Sequence, residues 1–344
     1  MMSTAGPNQA EATTLGSRRF GRLPEFLLVC ATLVLVPILG EVALRLAGKD
    51  APPPYPPKNL RPGVIEAYEP YGYRMIPSLR TTYPYPHNSP HPRTVSLAAN
   101  RDGFRDSREL DEPDPRPRML FLGDSFLFGD GVEESERFTN VLEKMEPSWR
   151  MDNFGIVGYG PDLMLRSLEV VGLKIRPSVV VFCMTTDSFR RVRPEFAGTG
   201  FTIPRYELHD GHLVTVPYPA PTFWNQLRIS VAINKILWDR MSWQWDLDEA
   251  ILNRFEELGD QHSFRKALVF LPGTDDTPLD QKRRAWLKQY AGRHSTPYLD
   301  LSDPVHKMGQ QAFIPDDPHL NEAGHIVVAR ELDRFLSASG LLTK

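Results

Sequence analysis

The residues of this chain that could do chemistry stand at the ends of short apolar runs. Ser125 follows Gly123-Asp124 directly after Met119-Leu120-Phe121-Leu122. Near the C-terminus comes Asp316-Asp317-Pro318-His319-Leu320-Asn321. Together they hold a hydroxyl, an imidazole and a carboxylate. Serine is a weak nucleophile alone; it needs a base to take its proton and an acid to orient that base. His319, just ahead of a helix start, is the candidate base. By spacing, either Asp316 or Asp317 can supply the carboxylate from the same turn. The same residues also fit blander roles, since Asp-Ser before Phe-Leu is a good helix start and Asn321 a good cap.

Two further stretches follow apolar runs. Asn153-Phe154-Gly155-Ile156-Val157-Gly158-Tyr159-Gly160 is glycine-rich. Glycine lets the backbone turn tightly and expose its N–H groups, and N–H groups aimed at one point form an oxyanion hole. An ordinary Gly-rich turn between strand and helix has the same composition. The other stretch is Met184-Thr185-Thr186-Asp187.

The elements that must position these groups alternate. Apolar runs at Met119–Leu122, Met151–Phe154, Val179–Cys183, Ala267–Leu271 and Tyr298–Leu301 read as strands. Between and after them, Phe138, Val141, Leu142 and Met145, then Leu163, Leu165, Leu168 and Val171, then Trp286, Leu287, Tyr290 and Ala291 show helical spacing. So do Ile326, Val327, Ala329, Leu332 and Phe335, opened by Asn321 as an N-cap. Strands alternating with helices predict an α/β protein, a three-layer α/β/α sandwich around a central parallel sheet. Such sheets bind ligands at the carboxyl ends of their strands, where Ser125 falls. The block 188–265 is long for one crossover and carries Trp224, Trp238, Trp243 and Trp245; it is expected to insert beside the site. Such aromatics can stack on sugar rings, though they more commonly fill cores.

The chain has 344 residues and a net charge of −3, so no global field recruits nucleic acid. Residues 1–24 read as a cytoplasmic tail carrying Arg18, Arg19 and Arg22, and 25–47 as a transmembrane helix. The arginines ahead of that helix place the tail in the cytoplasm and the rest outside it. A cleaved signal peptide has a similar pattern, but no small-x-small site follows the run. Residues 48–115 read as a Pro-rich juxtamembrane arm, irregular to about Val95 and without chemistry, and 116–340 as the catalytic domain. The two cysteines, Cys30 and Cys183, fall in different surroundings, and no disulfide is expected. His87, His91, His209 and His212 lack ligand spacing, and no metal or other cofactor is expected.

The four chemical stretches, in this order and each at a strand end, resemble the SGNH hydrolases, also called GDSL-type esterases. The resemblance spans about Arg116 to Phe335, and it implies a flavodoxin-like sheet. It implies Ser125 as nucleophile, His319 as base and Asp316 as the acid of an Asp-x-x-His pair. It also implies an oxyanion hole from the Ser125 amide, Gly155 and the third-block residue. That block departs from the family's Gly-x-Asn-Asp, because Thr186 stands where the family has Asn. Asn100-Arg101-Asp102-Gly103-Phe104-Arg105 and the Gly123–Val132 stretch resemble a membrane-anchored branch associated with bacterial envelope or exported polysaccharides.

The expected function is a serine O-acyl esterase of an acylated glycan, anchored in the bacterial inner membrane by one helix with its catalytic domain periplasmic. Polysaccharide-assembly proteins are the expected partners. An O-acyltransferase shares the first half-reaction, with a sugar hydroxyl in place of water. A glycan-binding or assembly protein that keeps the fold with weak catalysis is the reading that Thr186 favours.

Overall fold

The computed structural model describes residues 23–49, 61–87, 89–192, 205–217, 222–240 and 243–343. By contacts the chain divides into two compact units, Met1–Pro52 with Phe223–Asn234, and Pro53–Thr222 with Lys235–Lys344. The N-terminal tail to Arg22 lies outside the described residues.

The first unit is built on α1, Leu23–Leu46. Its stretch Pro24–Leu46 contains an 18-residue window with a mean hydropathy of 2.4 and is long and apolar enough to cross a membrane. Near its end Glu41 pairs with Arg45 at 2.7 Å. Glu41 also accepts a hydrogen bond from the Ile229 amide at 2.9 Å, and Arg228 donates to the Lys49 carbonyl at 2.6 Å. These bonds staple the segment around Ile229 to the polar end of α1.

The second unit opens with two antiparallel hairpins, β1 (Ile65–Tyr68) with β2 (Gly72–Met75), and β3 (Arg80–Tyr85) with β4 (Arg93–Ala98). The expectation of an irregular arm is therefore corrected between Ile65 and Ala98. The cause is a period of two hidden among prolines: Tyr83, Tyr85, Val95 and Leu97 point inward, while Thr82, Pro84 and Ser96 point out. The inward side chains join the buried cluster of the main domain, where Phe104 stacks on Phe154 with ring centroids 3.7 Å apart.

The main domain continues as β5 (Arg118–Gly123), α2 (Ser125–Phe128), α3 (Phe138–Met145), β6 (Arg150–Gly155), α4 (Pro161–Val170), β7 (Val179–Met184) and α5 (Ser188–Arg191). Next come a hairpin of β8 (Arg205–His209) and β9 (His212–Val216), then α6 (Arg228–Arg240) and α7 (Trp243–His262). The chain ends with β10 (Arg265–Phe270), α8 (Pro278–His294), β11 (Tyr298–Asp300), α9 (Ser302–His306) and α10 (Glu322–Ala338).

Five strands form one parallel sheet in the order β11-β10-β7-β5-β6. In sequence order this is 2-1-3-4-5, the doubly wound, flavodoxin-like arrangement. Strand residues alternate between two cores. Leu120, Leu122, Val180, Phe182, Leu268 and Phe270 face the layer of α4, α7 and α8, which contributes Leu165, Phe255 and Leu287. Met119, Phe121, Val181, Cys183 and Val269 face α3 and α10, which contribute Phe138, Leu142, Val328 and Leu332. Both faces are covered, which is why these strands read as continuous apolar runs. The three-layer α/β/α sandwich is thus present.

The long block between β7 and β10 is only partly an insertion. Ile251, Leu252, Phe255 and Leu258 of α7 are buried in the core, so α7 is the ordinary crossover helix. Trp245 joins an aromatic cluster with Phe189 and Trp286, while Trp224 is 71% exposed in the first unit.

Candidate active site

The sheet order reverses between β5 and β7, and this switch point opens a crevice at their carboxyl ends. Ser125 follows β5 there, and Thr185 and Thr186 follow β7. Ser125 is the first residue of the four-residue α2, whose N-cap Asp124 accepts from the Phe126 amide at 3.0 Å. The other oxygen of Asp124 accepts from the Thr185 hydroxyl at 2.8 Å and from Arg191 at 2.5 Å. Arg105, fully buried, donates to the carbonyls of Phe128, Gly129 and Val132 and so holds the turn after α2. That gives the Asn100–Arg105 stretch its place: Asn100 ties its own loop through the Asp102 and Phe104 amides, and Arg105 reaches across to the turn that follows Ser125.

His319 comes from the loop ahead of α10. The Ile314 amide donates to its carbonyl at 2.9 Å, and Asn321 closes the loop through Gln311 and Phe313 while capping α10 at Gly324. The ring Nε2 lies 2.7 Å from Ser125 Oγ, and Nδ1 lies 2.6 Å from Asp317 Oδ1. A carboxylate only accepts, so Nδ1 carries the proton and Nε2 is left to accept from the serine hydroxyl.

The carboxylate on His319 is therefore that of Asp317, which corrects the expectation of Asp316. The reason is local backbone. Asp316 sits at the tip of the turn with φ of 60° and an exposed side chain. Asp317 folds its carboxylate back onto the His319 amide at 2.9 Å, and the same oxygen meets the ring. Burial pushes the Asp317 carboxyl up, but the hydrogen bonds and charge of His319, with a bond from Tyr85, outweigh it and hold the group below the usual carboxylate value.

Two expected oxyanion donors are also corrected. The Gly155 amide donates to Asn153 Oδ1 at 2.9 Å, so it is already used. Gly155 is glycine because α2 lies against it: a Cβ there would stand 2.3 Å from the Phe128 amide nitrogen. Thr186 gives its single hydroxyl proton to Asp280 Oδ1 at 2.5 Å and has none left for an oxyanion. Among the described residues, the Ser125 and Gly158 amides make no hydrogen bond. Gly158 lies in the turn after β6 with φ of 80°.

Tyr85 stands outside every motif named above. Its hydroxyl donates to Asp317 Oδ2 at 2.9 Å and lies 2.8 Å from His319 Nδ1. The one signal for it is the inward alternation of Tyr83 and Tyr85 on β3.

Beside Ser125 lies a cleft of about 320 Å³, lined by Phe126, Thr186, Asp187, Arg190, Asp280 and Pro318 among others. Most of its lining residues are charged or hydroxylated types, beside the apolar Phe126, Leu279 and Pro318. Among the described residues, no group of three or more His, Cys, Asp or Glu side chains could hold a metal ion.

No protein-family model matches the sequence, and no curated protein does. Solved structures do. The chain is similar to a lipolytic protein of the G-D-S-L family from Desulfitobacterium hafniense, with 14% identity over 64% of this chain and 100% of that one, at a TM-score of 0.43. It is similar to an acylhydrolase from Bacteroides fragilis, with 18% identity over 67% and 92% and a TM-score of 0.42. An acetyl-xylooligosaccharide esterase from Geobacillus aligns with 14% identity over 64% and 94%, at 0.42.

Proposed function

We propose that this chain is a serine O-acyl esterase of a carbohydrate, anchored by α1 in the cytoplasmic membrane with its α/β domain on the outer side. The observation that carries the reaction is the continuous hydrogen-bonded line Ser125–His319–Asp317 at the switch point of the sheet. Ser125 Oγ attacks the ester carbonyl as Nε2 of His319 takes its proton. The charge that develops on the carbonyl oxygen goes to the Ser125 amide, which makes no other hydrogen bond among the described residues. His319 then returns the proton to the departing sugar oxygen, leaving an acyl group on Ser125. A water, deprotonated by the same ring, cleaves that ester and restores the serine.

The cleft beside Ser125 supports a polar substrate. Asp187, Arg190 and Asp280 suit the hydroxyls of a sugar better than a long acyl chain. The length and hydropathy of α1, with Arg18, Arg19 and Arg22 ahead of it, support the anchor and its orientation.

The test is incubation of the purified full chain with 4-nitrophenyl acetate and with acetylated oligosaccharides, with and without excess unacetylated acceptor, beside Ser125→Ala. Acetate released only by the chain with Ser125 is the expected result. Ser125-dependent transfer to the acceptor instead would make the chain a transferase. No difference from Ser125→Ala would sink both and leave a glycan-binding role.

A further inference from the structure

We infer that Tyr85, contributed by a hairpin outside the α/β domain, is a positioning residue of the catalytic line: it fixes the Asp317 carboxylate that orients His319. This rests on the nucleophile and base assigned above.

Asp317 has two oxygens to satisfy in a half-buried place. Oδ1 is occupied by the amide and the ring of His319 at 2.9 and 2.6 Å. Oδ2 has the Tyr85 hydroxyl at 2.9 Å. With a donor on each oxygen, the plane of the carboxylate is set, and with it the plane of the imidazole. The Tyr85 ring also stands edge-on to the His319 ring, with centroids 6.0 Å apart. Burial, then the charges of Asp130 and Asp317, raise the Tyr85 hydroxyl far above its ordinary value, so it stays a donor.

The hairpin is built to hold this tyrosine in place. Tyr83, two residues earlier on the same face, donates to Asp130 Oδ1 at 2.7 Å and accepts from the Gly131 amide at 3.0 Å. Arg61 clamps Asp130 with two bonds of 2.5 and 3.0 Å. Gly131 leaves room for the ring: a Cβ there would stand 2.6 Å from Cδ1 of Tyr85. Arg61, Tyr83, Tyr85, Asp130 and Gly131 thus form one tie between the N-terminal arm and the line Ser125–His319–Asp317.

The groups that bear on His319 are Asp317, Ser125 and Tyr85 in contact, and Asp130, paired with Arg61, and the neutral His325 through their fields. Phe126 packs on its ring without charge, and His87 stands behind Tyr85. Of these, Tyr85→Phe removes one hydroxyl, which donates to Asp317 Oδ2 and stands 2.8 Å from His319 Nδ1. The carboxylate then keeps more of its charge for the imidazolium and loses its fixed plane.

The experiment labels the full chain in detergent with a fluorophosphonate probe, which reports serine reactivity whatever the natural ester. Four proteins are compared across pH: the parent, Ser125→Ala, Tyr85→Phe and Tyr83→Phe. The parent is expected to label at Ser125 and Ser125→Ala not at all. Tyr85→Phe should label about tenfold more slowly, with the acid limb of its rate profile moved to higher pH. Tyr83→Phe removes a hydroxyl from the same strand without touching Asp317. It should lower the thermal midpoint and, by loosening the strand that carries Tyr85, slow labelling by less than Tyr85→Phe does, with the profile in place. A Tyr85→Phe profile that superimposes on the parent's overturns the role of Tyr85 and leaves the nucleophile standing. Loss of reactivity in Tyr83→Phe equal to that in Tyr85→Phe, with the same displaced limb, overturns it too, because the arm would then act only as a brace. A parent that does not label at Ser125 overturns the nucleophile assignment and the role of Tyr85 with it.

Discussion

Arg191 reaches from α5 to Asp124, the residue immediately before Ser125, and pairs with its carboxylate at 2.5 Å. Asp124 is 1% exposed, and the same guanidinium nitrogen also donates to the Tyr159 carbonyl at 3.0 Å. One cation thereby ties the ends of β5, β6 and β7 around Ser125. Arg191→Met leaves a buried carboxylate without its main counter-charge, which typically costs about 3–5 kcal/mol. The expected outcome is a large fall in the urea midpoint of Arg191→Met. The double variant Arg191→Met with Asp124→Asn should recover much of that loss. Failure of the second change to recover stability would show that the guanidinium acts by packing alone.

The two aspartates before His319 should behave very differently. Asp317→Ala removes the carboxylate that holds the productive tautomer, and in serine triads such a change costs on the order of 10⁴ in turnover. Asp316→Ala removes an exposed side chain at a turn tip and should leave ester hydrolysis within about threefold of the parent. Initial rates with 4-nitrophenyl acetate decide between them. The reverse ranking would return the acid role to Asp316.

This pair shows where sequence reading stopped. Ser125 and His319 were legible because a strand end or a helix start fixes where such residues lie. The choice between Asp316 and Asp317 turns on one left-handed φ that Asp-Asp-Pro-His does not declare. Gly155 has the right residue type, but its amide is taken by a side chain two residues back, and α2 leans on its Cα. Thr186 finds its partner, Asp280, on a helix 94 residues away. Tyr85 was hidden because prolines masked the alternation of β3. In each case local pattern set the element, and tertiary contact set the proton.

Thr186 stands where the SGNH pattern that the motifs resemble has an amide donor, and its hydroxyl is engaged by Asp280. Thr186→Val should therefore take one donor from the buried Asp280 carboxylate, costing about 1.5–3 kcal/mol of stability, and little reactivity at Ser125. Loss of an oxyanion donor would cost about 10²–10³ in turnover instead. Fluorophosphonate labelling and acetate release by Thr186→Val, read beside its melting curve, separate these outcomes. A loss of the larger size without a change in stability would show that the hydroxyl leaves Asp280 for the oxyanion during reaction.

Two buried groups in the domain pull stability in opposite directions with pH. His325 is 1% exposed and accepts from the Phe138 amide at 3.2 Å. Burial, then the charges of Arg137 and Arg105, lowers its pKa from 6.5 to about 3. The unfolded chain takes up that proton first, so the contribution of His325 is full above about pH 6.5 and is lost as pH falls toward 3. Asp162 is pushed up from 3.8 to about 6 by burial. The folded chain holds that proton longer, so its contribution is full below about pH 3.8 and is lost as pH rises through 6. Between about pH 4 and 6 the two slopes cancel, each amounting to at most roughly 1.4 kcal/mol per pH unit. His325→Gln, which keeps an acceptor for the Phe138 amide, should expose the Asp162 slope, so that the urea midpoint falls as pH rises across this range. Asp162→Asn should expose the His325 slope, with the midpoint rising. Equal slopes in the parent and both variants would show that neither group is held in its neutral form by the fold.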